Sequence, residues 1–250
     1  MTIFERVDEN KAAIDVIRPF EGDYLQQLRE YYRIGLTWTS NAIEGNSLTE
    51  AETKILLEDG LTVGGKPMRE IYEAIGHSRA YDYMFDLIGS RLITVDDMKT
   101  LHRLFYKYID ETNAGVWRDS SIIVTGSDYA FPAPSELGGL MADLSRWVET
   151  DRGKLHPIRF AATLHLKFVT IHPFIDGNGR VARLLLNAAL IQDGYLLAVI
   201  PPVLRLEYMT AISAYQKHGN AGKFCDFIAE RVLESQKEVM RLLHIPQKAE

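Results

Sequence analysis

The chain has 250 residues, 46% hydrophobic and 25% charged, the balance of a soluble globular protein with room for one large domain or a domain with an appendage. A net charge of −6 argues against nucleic acid as partner, and no apolar run approaches the roughly 18 residues that span a membrane. The single cysteine, Cys225, excludes an intramolecular disulfide, and Met1–Arg6 lacks the shape of a signal peptide, so a cytoplasmic location is expected.

Residues 1–22 read as a short helical or irregular lead-in ending near Pro19 and Gly22. From Asp23, the spacing of Tyr24, Leu28, Tyr31, Tyr32 and Leu36 predicts an amphipathic helix toward Glu44, and Gly45-Asn46 reads as its stop. Ser47-Leu48-Thr49-Glu50 fits a capping box for a helix to about Gly60. After a Gly64-Gly65-Lys66-Pro67 loop, a helix is predicted over 68–88, and another from Thr94 with Met98, Leu101, Leu104, Phe105 and Tyr108 inward. Gly115-Val116-Trp117-Arg118 closes that region. Apolar residues then alternate around a Gly126-Ser127 turn, from Ile122, Ile123, Val124 and Thr125 to Phe131, which predicts a β-hairpin over about 122–131. Helices follow over 135–150 and from His156-Pro157 to about Thr170, then one after Gly179 to Asp193-Gly194. An apolar segment, 195–200, precedes two last helices over 204–217 and 223–243. The fold class expected is all-α with one small hairpin.

Two positions stand out against this background. Glu44 places a carboxylate at the negative end of a helix dipole, which costs about 0.3–1 kcal/mol if exposed, so either water screens it or a cation answers it; Ser40 lies four residues earlier on the same face. The second is the run Ile171-His172-Pro173-Phe174-Ile175-Asp176-Gly177-Asn178-Gly179-Arg180-Val181-Ala182-Arg183. A Gly-x-Gly turn that opens a helix presents unbonded N–H groups at its positive end, a site suited to phosphate oxygens. Arg180 and Arg183, three apart, repel by a few tenths of a kcal/mol until an anion lies between them. Asp176 can hold a magnesium ion shared with the phosphates, and His172 can take a proton from a hydroxyl.

This run resembles the Fic-family signature, His-Pro-Phe-x-Asp/Glu-Gly-Asn-Gly-Arg-x-x-Arg, and matches every fixed position. The resemblance implies an all-α Fic fold that transfers AMP from ATP, with Mg²⁺, to a Ser, Thr or Tyr hydroxyl of a target protein. It makes His172 the general base, Asp176 the Mg²⁺ ligand, and Gly177, Asn178, Gly179 and Arg180 the site of the α- and β-phosphates, with Arg183 on the γ-phosphate. Ser40-Asn41-Ala42-Ile43-Glu44-Gly45 is similar to the family's inhibitory motif, Ser/Thr-x-x-x-Glu-Gly/Asn, whose Glu pairs with the second arginine, here Arg183. The chain would then divide into an inhibitory helical region, 1–90, and a catalytic core, 91–250. The hairpin resembles the family's flap, which would align a target segment along Ile123, Val124, Thr125 and Gly126. Relatives often carry Asn-Arg and then a tyrosine at the adenine site; here Leu204-Arg205-Leu206-Glu207-Tyr208 keeps Arg205 and Tyr208 and has leucine at the asparagine position. Self-modification and a homodimer are further family expectations. AMP removal, or transfer of another phosphate-containing group, is the alternative activity, and a catalytically silent interaction module the alternative class.

Other readings of the same residues fail on spacing. Gly177-x-Gly179-x-x-Ala182 fits a dinucleotide fingerprint, but Pro201-Pro202 stands where the acidic residue after a second strand is required. No Gly-Lys-Ser/Thr follows the glycines, which excludes a P-loop. His156, His165 and His172 lack zinc-ligand spacing, and His165 reads as a hydrogen-bonded structural histidine.

Overall fold

A computed structural model describes residues 1–17, 23–62, 64–90, 92–123 and 128–246, with no side-chain description for residues 23–25. Ten α-helices are present among them: α1 (Ile3–Asp15), α2 (Asp23–Ile43), α3 (Glu50–Asp59), α4 (Met68–Asp86), α5 (Val95–Tyr106), α6 (Leu137–Asp151), α7 (Pro157–Ile171), α8 (Asn178–Gln192), α9 (Arg205–His218) and α10 (Gly222–Leu242). None is long and apolar enough to cross a membrane.

Helix starts follow local chemistry. Thr2, Thr49 and Thr94 each accept the N3 backbone N–H of α1, α3 and α5, and Glu5, Glu52 and Asp97 reach back to the cap. The box of α3 is therefore Thr49–Glu52 and not the expected Ser47–Glu50. Both frames satisfy the same pattern, but Ser47 is taken by α4: its N–H and Oγ both donate to Glu70 Oε2, at 2.9 and 2.6 Å. The lead-in resolves into α1, and residues 18–22 lie outside the described set. Tyr108, expected inward, falls beyond the end of α5 and is half exposed, with the Arg79 guanidinium over its ring.

The core is built around α8. The periodicity predicts one apolar stripe, yet Val181, Ala182, Leu184, Leu185, Leu186, Ala188, Ala189 and Leu190 are all buried, because α7 pairs with α8 and α2, α4 and α5 also pack against it. α1 packs on α10, and one cluster of buried side chains runs from Val7 to Met240. Each large aliphatic residue buried there contributes about 1.5–3 kcal/mol. A smaller cluster of Leu48, Leu56, Ile71 and Ala74 fixes α3 to α4. The apolar segment 195–200 is not a strand; Asn187 of α8 holds it, accepting Ala198 N–H at 2.7 Å and donating to Ala198 O at 3.3 Å.

No strand occurs among the described residues. The predicted hairpin places Val124, Thr125 and Gly126 outside the described set, and its flanks, 121–123 and 128–131, are without regular secondary structure.

Candidate active site at the start of helix α8

The motif loop connects two packed helices and is shaped by them. α7 ends at His172, whose backbone is left-handed at φ 52° and whose N–H bonds Phe168 O at 2.9 Å. Such a conformation is costly for a residue with a side chain, about 1–3 kcal/mol, and persists where neighbours over-determine it. Pro173 prevents further helix. Phe174 is buried, stacked on His102 at a centroid distance of 3.7 Å and against Trp117 at 4.8 Å. His102 accepts Gly115 N–H through Nδ1 at 2.8 Å, which leaves Nε2 to donate to Asp176 O at 3.1 Å. Asn178 braces the turn from inside: Oδ1 accepts Phe174 N–H and Nδ2 donates to Phe174 O, at 2.9 and 2.8 Å. Its side chain is thereby used up, so what Asn178 offers an anion is its backbone N–H.

Gly177 caps α8 at φ 78°, and a Cβ there would sit 2.7 Å from the Phe105 ring; only glycine meets both demands. The first backbone bond of α8 runs from Val181 N–H to Gly177 O, so the N–H groups of Asn178, Gly179 and Arg180 precede the ladder and sit at the positive end of the dipole.

An anion already lies against that end. The Glu44 carboxylate sits so close to Gly179 that a Cβ there would be 2.3 Å from Glu44 Oε1. Arg183 fastens it, donating from Nη2 to Glu44 Oε1 at 2.7 Å and to Ser40 O at 2.7 Å, and from Nε to Ser40 Oγ at 2.9 Å. Arg183 Nη1 donates to the Tyr208 hydroxyl at 3.1 Å, and that hydroxyl lies 2.8 Å from His165 Nε2. Burial pushes the Glu44 carboxyl up, but the Arg183 and Arg180 charges outweigh it and hold the group below the ordinary carboxylate value. The cation expected at the end of α2 is thus Arg183, joined by Arg205, whose Nε donates to Ile43 O at 2.7 Å. Glu44 itself is presented by a Schellman turn, with Gly45 N–H on Ala42 O, Asn46 N–H on Asn41 O and Gly45 at φ 97°.

Arg180 faces the other way. It pairs with Glu73 of α4 at 3.2 Å and Asp176 at 3.3 Å, over the ring of Phe105. Asp176 also accepts Gly177 N–H at 2.6 Å and pairs with Arg69 at 2.6 Å. Among the described residues no group of three or more His, Cys, Asp or Glu side chains could hold a metal. A lone carboxylate beside an anion-binding helix start suits Mg²⁺, which keeps waters and takes its remaining oxygens from phosphates.

His172 lines a pocket of about 140 Å³ with Glu44, Phe131, Gly179 and Tyr208. Its Nδ1 lies 3.2 Å from Val169 O, a bond that sets the proton on Nδ1 and leaves Nε2 free to accept one. Burial pulls its pKa down to about 4, so the ring is neutral near pH 7. The structure therefore assembles His172, Asp176, Gly177, Gly179, Arg180, Arg183, Ser40, Glu44 and Tyr208 at one helix start. Sequence reasoning missed Arg69, Glu73, His102 and Arg118, the last donating from Nε to His172 O at 2.8 Å; their roles depend on positions far apart in the chain. These side chains carried no local signal.

Residues 92–190 match the model of the Fic/DOC family. Protein adenylyltransferase Fic of Drosophila melanogaster is 33% identical over 228 residues, 90% of this chain and 46% of that protein; the chain thus spans about half the length of the curated relatives it matches. Fic-1 of C. elegans (residues 134–508) superposes with a TM-score of 0.86 at 27% identity, covering 97% of this chain and 72% of that one. A Fic domain containing signaling protein from Bacteroides thetaiotaomicron superposes over 99% of this chain and 100% of its own, with a TM-score of 0.85 at 23% identity. The signature is complete, its loop is built at the start of α8, and residues 92–190 match the Fic/DOC family within a fold similar to Fic structures over nearly the whole chain.

Proposed function

We propose that this chain is a protein adenylyltransferase held in check by Glu44. The observation that carries the reading is the anion seat itself: a carboxylate occupies the positive start of α8, clamped by Arg183, next to a neutral histidine. The name protein adenylyltransferase, borne by relatives 33% identical, supports the same chemistry. In the reaction, the oxygen of a Ser, Thr or Tyr hydroxyl attacks the α-phosphorus of ATP. The bond from that phosphorus to the β-phosphate oxygen breaks, pyrophosphate leaves, and the hydroxyl proton passes to His172 Nε2. The protein contributes chiefly position and charge: N–H groups of residues 178–180 and Arg180 for the α- and β-phosphates, and Arg183 for the γ-phosphate once Glu44 withdraws. Asp176 would hold Mg²⁺, which neutralises phosphate charge, after exchanging its bond to Arg69. The acceptor is a protein hydroxyl, on a target or on the chain itself, and a homodimer is part of the same reading. Tyr208, buried behind Arg183, acts on the nucleotide through that arginine.

The experiment is transfer from α-labelled ATP with Mg²⁺ by wild type, Glu44→Gly and Glu44→Gly/His172→Ala. Label on protein is expected in the Glu44 single variant alone, or far more strongly there. If ATP binds and no variant labels protein, AMP removal becomes the better reading, since Glu44 shares the pocket of His172.

A further inference from the structure

Arg69, in the first turn of α4, reaches across to the motif loop. Its Nη2 donates to Asp176 Oδ2 at 2.6 Å and its Nε to Glu73 Oε1 at 3.3 Å. Arg180 meets the same two carboxylates, Glu73 Oε1 at 3.2 Å and Asp176 Oδ1 at 3.3 Å, so the four side chains close a ring of two cations and two anions. Within that ring the two oxygens of Asp176 are held differently. Oδ1 accepts Gly177 N–H at 2.6 Å and faces the buried Arg180, which makes it part of the turn itself. Oδ2 is held by Arg69, whose side chain is 56% exposed. The carboxylate oxygen that the turn does not use is therefore the one an exposed guanidinium covers.

We propose that Arg69 is a positioning residue that stands in for the divalent cation on Asp176 and competes with it, so that Arg69 sets how much Mg²⁺ the nucleotide site requires. It acts through Asp176 and not on the nucleotide. A guanidinium and a divalent cation on one carboxylate oxygen repel, so Arg69 has to give up Oδ2 for the metal to take it. Release does not strand the guanidinium, because Glu73 keeps its Nε and solvent reaches the rest. The inference rests on the transferase reading above and adds to it a residue of α4, outside the signature run, that tunes metal affinity.

The test uses the full chain carrying Glu44→Gly, alone and with Arg69→Ala, Arg69→Lys or Asp176→Asn added. Calorimetry reads the affinity for ADP in EDTA and across a series of Mg²⁺ concentrations. The pair is partly exposed and screened, so Arg69→Ala is expected to lower the half-saturating Mg²⁺ about fivefold, with ADP affinity in EDTA within about twofold of the parent. Arg69→Lys keeps the charge and should stay near the parent, and raised salt should narrow the gap between parent and Arg69→Ala. In the Asp176→Asn chain, adding Arg69→Ala should change nothing further. An unchanged Mg²⁺ requirement in Arg69→Ala would overturn the proposal. So would weaker ADP binding in EDTA, which would make Arg69 a phosphate contact. ADP binding indifferent to Mg²⁺ in every chain would overturn it too, by removing Asp176 as a metal ligand. Transfer is scored separately: if the Glu44→Gly chain binds ADP and Mg²⁺ but labels no protein from α-labelled ATP, the transferase reading has failed, and the Mg²⁺ series still decides the role of Arg69.

Discussion

Arg180 and Arg183 sit three residues apart on one helix, and the protein treats them in opposite ways. Arg180, 5% exposed, is neutralised by Glu73, itself 9% exposed and set in the middle of α4, where Asn46 also donates to it at 3.0 Å. Arg183, 3% exposed, is neutralised by Glu44, which is 34% exposed and stands at the very end of α2. A carboxylate in mid-helix is a fixed partner. A carboxylate on a terminal turn, half in water, is a replaceable one, because it can rotate into solvent without unpacking its helix. On the reading proposed above, the anion site is permanently organised through Arg180 and conditionally blocked through Arg183.

The largest effect expected is loss of transfer on removing the base both arginines serve: His172→Ala in the Glu44→Gly background should lower labelling about 10²–10⁴-fold and leave ATP affinity, read by calorimetry, almost unchanged. Comparable labelling by the two chains would refute the role of His172. Next in size is stability. Arg180→Ala leaves the buried Glu73 carboxylate to Arg69, 3.3 Å away and itself 56% exposed, and should cost about 3 kcal/mol in urea unfolding. Arg183→Ala lets Glu44 turn to water, so its cost should be clearly smaller, and equal shifts of the unfolding midpoint would erase the distinction. Arg183→Ala should also fail to reproduce the activation by Glu44→Gly, because it removes the clamp for the incoming phosphate along with the block; matched activities would show that Arg183 is not a nucleotide ligand.

The smallest effect concerns the histidine beneath both arginines. His77, fully buried with Nδ1 at 3.1 Å from the Thr37 hydroxyl, has its pKa lowered to about 3, by burial first and then by Arg183 and Arg180. Its folded pKa lies below the unfolded one, near 6.5, so the unfolded chain binds the extra proton and stability is lost as pH falls below about 6.5. The slope per such histidine reaches about 1.4 kcal/mol per pH unit between the two values. A His77→Gln chain should show a shallower fall of the urea midpoint from pH 7 to 5; an identical slope would place the proton uptake elsewhere.

The order of the helices and the residues gathered at the start of α8 were readable from the chain because each rests on local chemistry. Helix ends were marked by glycines, prolines and capping residues such as Thr94, which act over three or four residues. The run from His172 to Arg183 is contiguous, so its histidine, carboxylate, glycine turn and arginines could be picked out without a fold. Glu44 announced itself by a local conflict, an acid at the wrong end of a helix dipole. Register was less legible: two overlapping boxes near residue 50 satisfied the same rule, and contact with Glu70 from α4 chose between them. What tertiary structure alone decided is which partner answers each charge. Nothing near Arg180 in sequence names Glu73, nothing near His172 names Arg118, and the amphipathic pattern of α8 did not disclose that the helix is enclosed. These depend on helices distant in the chain crossing at one point, and pairing across such a crossing is set by packing geometry, which local sequence does not encode.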